Sequence, residues 1–261
     1  MRNREDSVGR KELCKFLDWD SEFFRCQIAR IIPNRLTSKD IGAIFRWCRD
    51  RSIDCLYFLA DVDDPATVFE AEANEFHLVD IRITLERLIE AIPSANRRAF
   101  QGVIRPSKIS DVPALRAMAK LSHRDSRFYY DGRFSRSRCD ALYTTWIEKS
   151  CNGYANIVFV SEIGGVPAGY VSCHLAKQAR AQIGLLGVHG NFWGKGIGEG
   201  LLNESLRWFA EQGAKRVAVV TQGRNCSAQR LYERCGFVTQ SVQLWYHRWF
   251  NSIRKRLPAQ K

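Results

Sequence analysis

Ile183-Gly184-Leu185-Leu186-Gly187-Val188-His189-Gly190-Asn191-Phe192-Trp193-Gly194-Lys195-Gly196-Ile197-Gly198 is the stretch on which the reading of this chain turns. Its first six residues form an apolar run, short enough for a buried strand. A glycine-rich loop then leads into apolar positions at Ile197, Leu201, Leu202, Leu206 and Phe209, whose spacing is helical, with Gly213 placed for a C-terminal cap. Glycines between a strand end and a helix start leave successive backbone N–H groups bare at the positive end of the helix dipole. That is a physical description of a phosphate cradle. Two familiar phosphate loops do not fit. Gly194, Gly196 and Gly198 are spaced two apart, unlike G-x-G-x-x-G, and Lys195 is followed by Gly196 rather than Ser or Thr. Taken alone, the loop also reads as a tight turn without a ligand.

The residues downstream add weight. Lys215 to Thr221 reads as the next strand, and Asn225 is a natural helix N-cap followed by Ala228, Tyr232, Gly236 and Phe237. Gly236 stands where that helix would stop, and Asn225 and Tyr232 are two turns apart, on one face. Together the loop and this run resemble the GCN5-related N-acetyltransferase (GNAT) superfamily. Its usual signatures are Q/R-x-x-G-x-G/A after a strand and then N-x-x-A-x-x-x-Y-x-x-x-G-F. The second is complete from Asn225 to Phe237. The first is met by Gly196 and Gly198, with Trp193 standing where Gln or Arg is usual.

Within the superfamily the chain is similar to acetyltransferases of bacterial polysaccharide synthesis that act on nucleotide-linked amino sugars. The similarity rests on Leu17-x-Trp19-Asp20-Ser21-x-Phe23-Phe24 and Leu78-Val79-Asp80-x-Arg82-x-Thr84-Leu85. It continues in Ser126-Arg127-Phe128, Trp146-Ile147-Glu148, Ile183 to Leu186 and Thr221-Gln222-x-x-Asn225. The resemblance implies an α/β (α+β) GNAT fold, a mixed and mostly antiparallel sheet flanked by helices, with acetyl-coenzyme A as cosubstrate. The implied acceptor is the amine of a nucleotide-linked 4-amino-4,6-dideoxyhexose, acetylated by direct attack.

Site roles follow from the same resemblance. Backbone at Leu186 and Val188 would pair with the pantetheine arm. Amides of Gly194, Lys195, Gly196, Ile197, Gly198 and Glu199 would take the pyrophosphate, with Lys195 adding charge. Asn225 would touch the pantetheine arm or serve simply as the N-cap. Trp193 would cover the coenzyme or fill the space of the usual Gln. Tyr232 is the candidate general acid, since a phenol of pKa about 10 can return a proton to a thiolate. Asp80 is the candidate base, directly or through a water, with an ion pair to Arg82 as its alternative. Arg82, Arg127, Phe128 and Tyr129 are the candidate acceptor-binding residues, helped by Arg133, with loop or interdomain packing as the alternative.

Bulk properties narrow the field. The chain has 261 residues, 45% hydrophobic and 26% charged, room for one large domain or two small ones. No apolar run approaches the roughly 20 residues of a membrane span, and Met1 to Lys15 lacks the apolar core of a signal peptide. Nine cysteines without a C-x-x-C pair and five dispersed histidines argue for reduced thiols in a cytoplasm and against a metal site. Of His77, His123, His174, His189 and His247, only His189 lies beside the loop in sequence. The net charge of +12 keeps a nucleic-acid-binding protein among the alternatives, though the charge is spread and a small partner bearing phosphates wants the same sign. A GNAT enzyme acting on a protein N-terminus, an antibiotic or a polyamine is the other alternative. The oligomeric state stays open, a homodimer included.

Along the chain, residues 1–100 read as a smaller α/β unit that could be a degenerate copy of the catalytic half. It has strands at 28–32, 55–60 and 76–85 and helices at 38–51 and 66–74. Residues 88–102 read as a linker, residues 101–250 as the catalytic GNAT domain, and residues 251–261 as a basic tail. The catalytic part opens with a strand at 102–106 and helices at 114–121 and 141–149. A hairpin about Gly164-Gly165 follows, then a third strand at 181–188, and Phe237 to Trp249 closes the sheet. Residues 125–134 show no clean period.

Overall fold

A computed structural model describes residues 12–89 and 102–250. The expected linker at 88–102 lies almost entirely outside the described residues, as do the basic tail and the first eleven residues. The chain packs as two units: described residues up to Val79 together with those from Gln243 onward, and Asp80 to Val242. This division departs from the expected cut near residue 100. Its physical basis is strand pairing, because two long strands each cross the boundary.

The first unit holds β1 (Cys14–Phe16), α1 (Asp18–Phe24), β2 (Ile28–Ile31), α2 (Ser38–Asp50), β3 (Cys55–Asp61) and α3 (Pro65–Ala73). It also takes the start of β4 (His77–Leu88). β1 runs antiparallel to β2, and β2 parallel to β3. β3 is buried from Cys55 through Ala60, as expected of a strand covered on both faces. At the start of α2 the Thr37 amide donates to the Asp40 carboxylate at 3.1 Å, tying off the first turn. Ile44, Leu56 and Phe58 pack at the centre of this core.

The second unit begins at Asp80 within β4 and continues through β5 (Val103–Pro106), α4 (Val112–Ser122), α5 (Arg127–Asp131) and α6 (Arg136–Lys149). Then come β6 (Ile157–Ile163), β7 (Val166–Ala176), β8 (Arg180–Val188), α7 (Ile197–Glu211), β9 (Arg216–Gln222) and α8 (Cys226–Arg234). Last is β10 (Val238–Trp249), whose residues from Gln243 pair antiparallel with β3 and so belong to the first unit. In the second unit the strand order is β4-β9-β8-β7-β6-β5, antiparallel except for the β8/β9 pair. This is the mixed, mostly antiparallel sheet flanked by helices that the resemblance implies. Gly164 and Gly165, both at positive φ, make the two-residue turn between β6 and β7.

α7 forms because its apolar residues recur on one stripe. Leu201, Leu202, Leu206 and Phe209 are fully buried against the sheet, each worth roughly 1.5–3 kcal/mol of transfer free energy. In the first unit β1 and α1 precede every element expected from the sequence, and in the second unit two features escape that reading. α6 starts five residues before the expected 141, and the aperiodic 125–134 stretch contains the short α5.

Candidate active site

The site begins where two parallel strands part. β8 and β9 pair from Arg180 with Arg216 to Ile183 with Val219. Beyond that point β8 continues to Val188 on its β7 side, and β9 continues to Gln222 on its β4 side. A β-bulge sets the divergence. Cys173 faces Ile183 and Val171 faces Leu186, so Gly184 and Leu185 together oppose the single residue Ser172. The Leu185 amide donates to Ser172 Oγ at 2.8 Å, which satisfies the displaced backbone. Glycine is required here: a Cβ on Gly184 would lie 2.6 Å from Ser172 Oγ and from His174 Nε2, and one on Gly187 would lie 2.7 Å from the Tyr170 ring.

A cavity of about 1240 Å³ fills the gap between Gly184–Val188 and Val220–Gln222. Past Ile183 the main-chain edge of β8 that turns toward β9 has lost its strand partner, so an extended ligand can take the place of a strand there. Leu186 and Val188 lie on this edge, and the Val188 carbonyl accepts the Trp193 indole N–H at 2.9 Å. Trp193 is otherwise exposed. It therefore braces the loop against the strand end from the position where the signature has Gln or Arg.

Phe192 to Glu199 line the next part of the cavity. Gly194 and Gly196 both have φ of +76°, the left-handed region that other residues adopt only at a cost. Gly196 is the N-cap of α7, and the first helical bond runs from the Gly200 amide to the Gly196 carbonyl at 2.9 Å. The amides of Ile197, Gly198 and Glu199 precede that bond and have no carbonyl within the helix to meet. Gly198 serves packing, since a Cβ there would come within 2.9 Å of Leu231 Cδ2 on α8. A 15-residue helix thus presents bare N–H groups and its positive dipole end to the cavity, with Lys195 beside them. The cradle read from the sequence fits a diphosphate.

α8 closes this wall. Asn225 Oδ1 accepts the Ala228 amide at 3.0 Å, the N-cap bond, which leaves the amide nitrogen of the same side chain outside the cap. Tyr232 lines the cavity, is 5% exposed, and packs edge-on to Phe237 with centroids 5.9 Å apart. Burial pushes its phenol well above the usual range, so the group keeps its proton at neutral pH. The turn after α8 explains Gly236-Phe237: the Gly236 amide bonds the Glu233 carbonyl at 2.9 Å and the Phe237 amide bonds the Tyr232 carbonyl at 3.0 Å.

The remaining wall comes from Leu121 to Asp125, Tyr143, Trp146 and Arg224. His123 stacks on Tyr143 at 4.6 Å, and its Nε2 lies 2.9 Å from the Tyr170 hydroxyl. Burial lowers the imidazole to about 4 and pushes the Tyr143 phenol up to about 12, so both are neutral at pH 7. The sequence reading passed over His123 because nothing near it in the chain repeats or pairs. Its position just past α4 becomes informative only once Tyr170 and Tyr143 are beside it. His189, the histidine nearest the loop in sequence, instead accepts the Asn191 amide at 3.3 Å.

The expected acceptor residues take other places. Phe128 is buried edge-on to Phe134 at 5.6 Å. Tyr129 donates to Asp140 Oδ1 at 2.7 Å, and Arg127 lies over the Phe128 ring at 4.2 Å. Arg82 sits on β4 opposite Gln222. Asp80 is 4% exposed, accepts the Ile81 amide at 2.9 Å, and has Arg224 Nη1 at 3.3 Å. None of these five is among the described residues that line the cavity, whereas Arg224 is. The physical reason is that α5 turns Phe128 toward Phe134 and Tyr129 toward Asp140 on α6, and that Asp80 lies behind Arg224. Among the described residues no group of three His, Cys, Asp or Glu side chains is placed to hold a metal ion, and no helix is long and apolar enough to cross a membrane.

Comparison with known proteins agrees with this geometry. Residues 118–237 match the model of the acetyltransferase (GNAT) family. The chain is 29% identical over 238 residues to dTDP-fucosamine acetyltransferase of Escherichia coli, covering 89% of this chain and 96% of that protein. It is 30% identical over 144 residues to the spore coat polysaccharide biosynthesis protein SpsD of Bacillus subtilis, 55% of this chain and 50% of that one, so the match spans about half the length of that relative. Among solved structures, a GCN5-related N-acetyltransferase from Sphaerobacter thermophilus superposes with a TM-score of 0.65 at 15% identity, covering 90% of this chain and 76% of that one.

Proposed function

We propose that this chain, which carries a GNAT acetyltransferase domain, is an N-acetyltransferase that moves an acetyl group from acetyl-coenzyme A to the amine of a nucleotide-linked amino sugar. The observation that carries the reading is a single cavity on which three features converge: a parted strand pair, a bare helix start and a protonated buried phenol. The acceptor class is argued from the Escherichia coli relative, which matches this chain almost from end to end and is by name a dTDP-fucosamine acetyltransferase. A dTDP-linked 4-amino-4,6-dideoxyhexose is the specific acceptor proposed. Localisation in a reducing cytoplasm, and a small-molecule rather than nucleic-acid partner, belong to the same proposal.

Each residue then has a task. The amides at the start of α7, with Lys195, would hold the coenzyme diphosphate, and the free edge of β8 at Leu186 and Val188 would pair with the amides of its pantetheine arm. The Asn225 amide nitrogen is available to the same arm. When bound, acetyl-coenzyme A supplies the acetyl group as an activated thioester. Tyr232 holds a proton for the departing sulfur and recovers one from water. An amine that is partly neutral at pH 7 needs no strong base, and its lost proton passes to water. The neutral ring of His123 adds no further positive charge to a wall that already carries Arg124 and Arg224.

A thiol-release assay with acetyl-coenzyme A and a panel of nucleotide-linked aminohexoses tests this. Turnover on a 4-amino sugar nucleotide is expected. Silence across the panel, with a melting temperature still raised by acetyl-coenzyme A, would remove the acceptor class and leave the coenzyme site. Salt-sensitive DNA binding without any coenzyme effect would remove both.

A further inference from the structure

Arg224 sits in the three-residue loop between β9 and α8, and that loop is itself fixed. The Gly223 amide bonds the Ile81 carbonyl at 2.6 Å, and a Cβ on Gly223 would meet Ile81 Cβ at 2.7 Å. Gln229 Nε2 donates to the carbonyls of Gln222 and Gly223 at 3.1 and 2.9 Å. From this rigid base the Arg224 guanidinium reaches three places. Nη1 donates to the Asp125 carbonyl at 3.1 Å, across 99 residues of chain. The same nitrogen lies 3.3 Å from Asp80 Oδ1. Its carbon stands 3.9 Å over the Tyr130 ring, a cation–π contact.

Asp80 holds the other side. Besides Arg224, it accepts backbone hydrogen bonds from Ile81 and from Arg127, the first residue of α5. Its side chain is 5% exposed, against 31% for Arg224. A general base needs an oxygen within about 3 Å of the amine or one water away. The contacts of Asp80 are instead spent on two amides and a guanidinium, and Arg224 is the member of the pair that faces the cavity.

We infer that Asp80 and Arg224 form a clasp that holds the Asp125–Asp131 segment against the loop that leads through Asn225 into α8, so that Asp80 is a positioning residue acting through Arg224 and not the base. Acceptor binding depends on the clasp because Arg124, Asp125 and Arg224 wall that end of the cavity. The acceptor half of the inference rests on the proposed function; the clasp itself does not. A buried carboxylate that burial drives up to about 6, despite the opposing pull of Arg224 and Arg127, is costly to keep, which suits a group retained for position.

The test compares wild type, Asp80→Ala, Arg224→Gln and the double variant. Backbone hydrogen exchange at residues 125–131 is read first, since it needs no acceptor. Each single variant is expected to exchange there roughly tenfold faster, with the start of α7 unchanged. With an acceptor that wild type turns over, KM for the acceptor rises roughly tenfold while KM for acetyl-coenzyme A holds. The double variant matches the singles, because both act through one contact. Unchanged exchange in Arg224→Gln, or losses that multiply in the double variant, would overturn the clasp. If the single variants do not melt cooperatively, Asp80→Asn and Arg224→Lys are read the same way, with intermediate effects expected and wild-type exchange counting against the clasp. A wild type that acetylates no sugar nucleotide sinks the acceptor class, while the exchange result still decides the clasp.

Discussion

At the α7 end the cavity is walled by main chain: two glycines at φ of +76°, three helix-start amides and the free edge of β8. At the α4–α5 end it is walled by side chains, with His123 against Tyr143 and Tyr170 and with Arg224 backed by Asp80. The two ends differ in what can damage them. A backbone cradle depends on dihedral angles and close approach, so it tolerates Trp193 in place of the usual Gln or Arg but not a Cβ at its glycines. A wall of paired side chains depends on partners far apart in sequence, so loss of either partner leaves the other unsatisfied.

Gly196→Val is the strongest way to break the first end. A β-branched residue at positive φ displaces the start of α7. Affinity for acetyl-coenzyme A is expected to fall roughly a hundredfold, seen as loss of the coenzyme-induced rise in melting temperature. Tyr232→Phe separates binding from chemistry. The ring and its contact with Phe237 remain, so the coenzyme-induced shift should persist while kcat falls by about 10². An unchanged kcat would assign the proton to another donor.

At the side-chain end two buried groups respond to pH with opposite sign. Asp80 is raised from 3.8 to about 6, so the folded state prefers it protonated. Its contribution to stability is fully present below pH 3.8 and is lost as pH rises through 6, by up to about 3 kcal/mol. Denaturant titrations of Asp80→Asn should therefore gain on wild type between pH 4 and 7 by up to that amount. His123 is lowered from 6.5 to about 4, so its contribution is present above pH 6.5 and lost as pH falls through 4. His123→Gln should flatten that acid loss. If the difference from wild type changes with pH in the same direction for both variants over this window, the two environments have been misread.

The smallest effect belongs to Trp193→Ala. The residue is 72% exposed and gives up one hydrogen bond to the Val188 carbonyl. Coenzyme affinity should change less than about fivefold by titration calorimetry. A larger loss would mean that the indole covers the coenzyme as well as bracing the strand end.

The legibility of the site in the sequence follows the same division. The phosphate cradle, the N-cap at Asn225, the phenol at Tyr232 and the glycine stop at Gly236 are local features, separated by one or two turns, and their spacing survives in the linear chain. The strands from β2 onward and the α7 stripe are readable for the same reason. Asp80 was singled out from a resemblance and Arg224 was overlooked, since nothing in the chain announces that they meet. Phe128 and Tyr129 read as acceptor residues through the resemblance, in a stretch that shows no clean period of its own. In the fold that stretch contains α5, which directs Phe128 to Phe134 and Tyr129 to Asp140.

By itself, then, the amino-acid sequence determined what depends on near neighbours: the α/β class, the helix-start cradle, and the capped helix that carries the phenol. Tertiary structure alone decided what depends on long-range pairing. It set the bulge at Gly184-Leu185 that parts β8 from β9, and the division of the chain inside β4 and β10. It also set the neutral state of His123 and the clasp between Asp80 and Arg224. Dihedral preference and periodicity are properties of a few consecutive residues. Strand register and burial are fixed only when distant segments compete for the same partners and the same shelter from water.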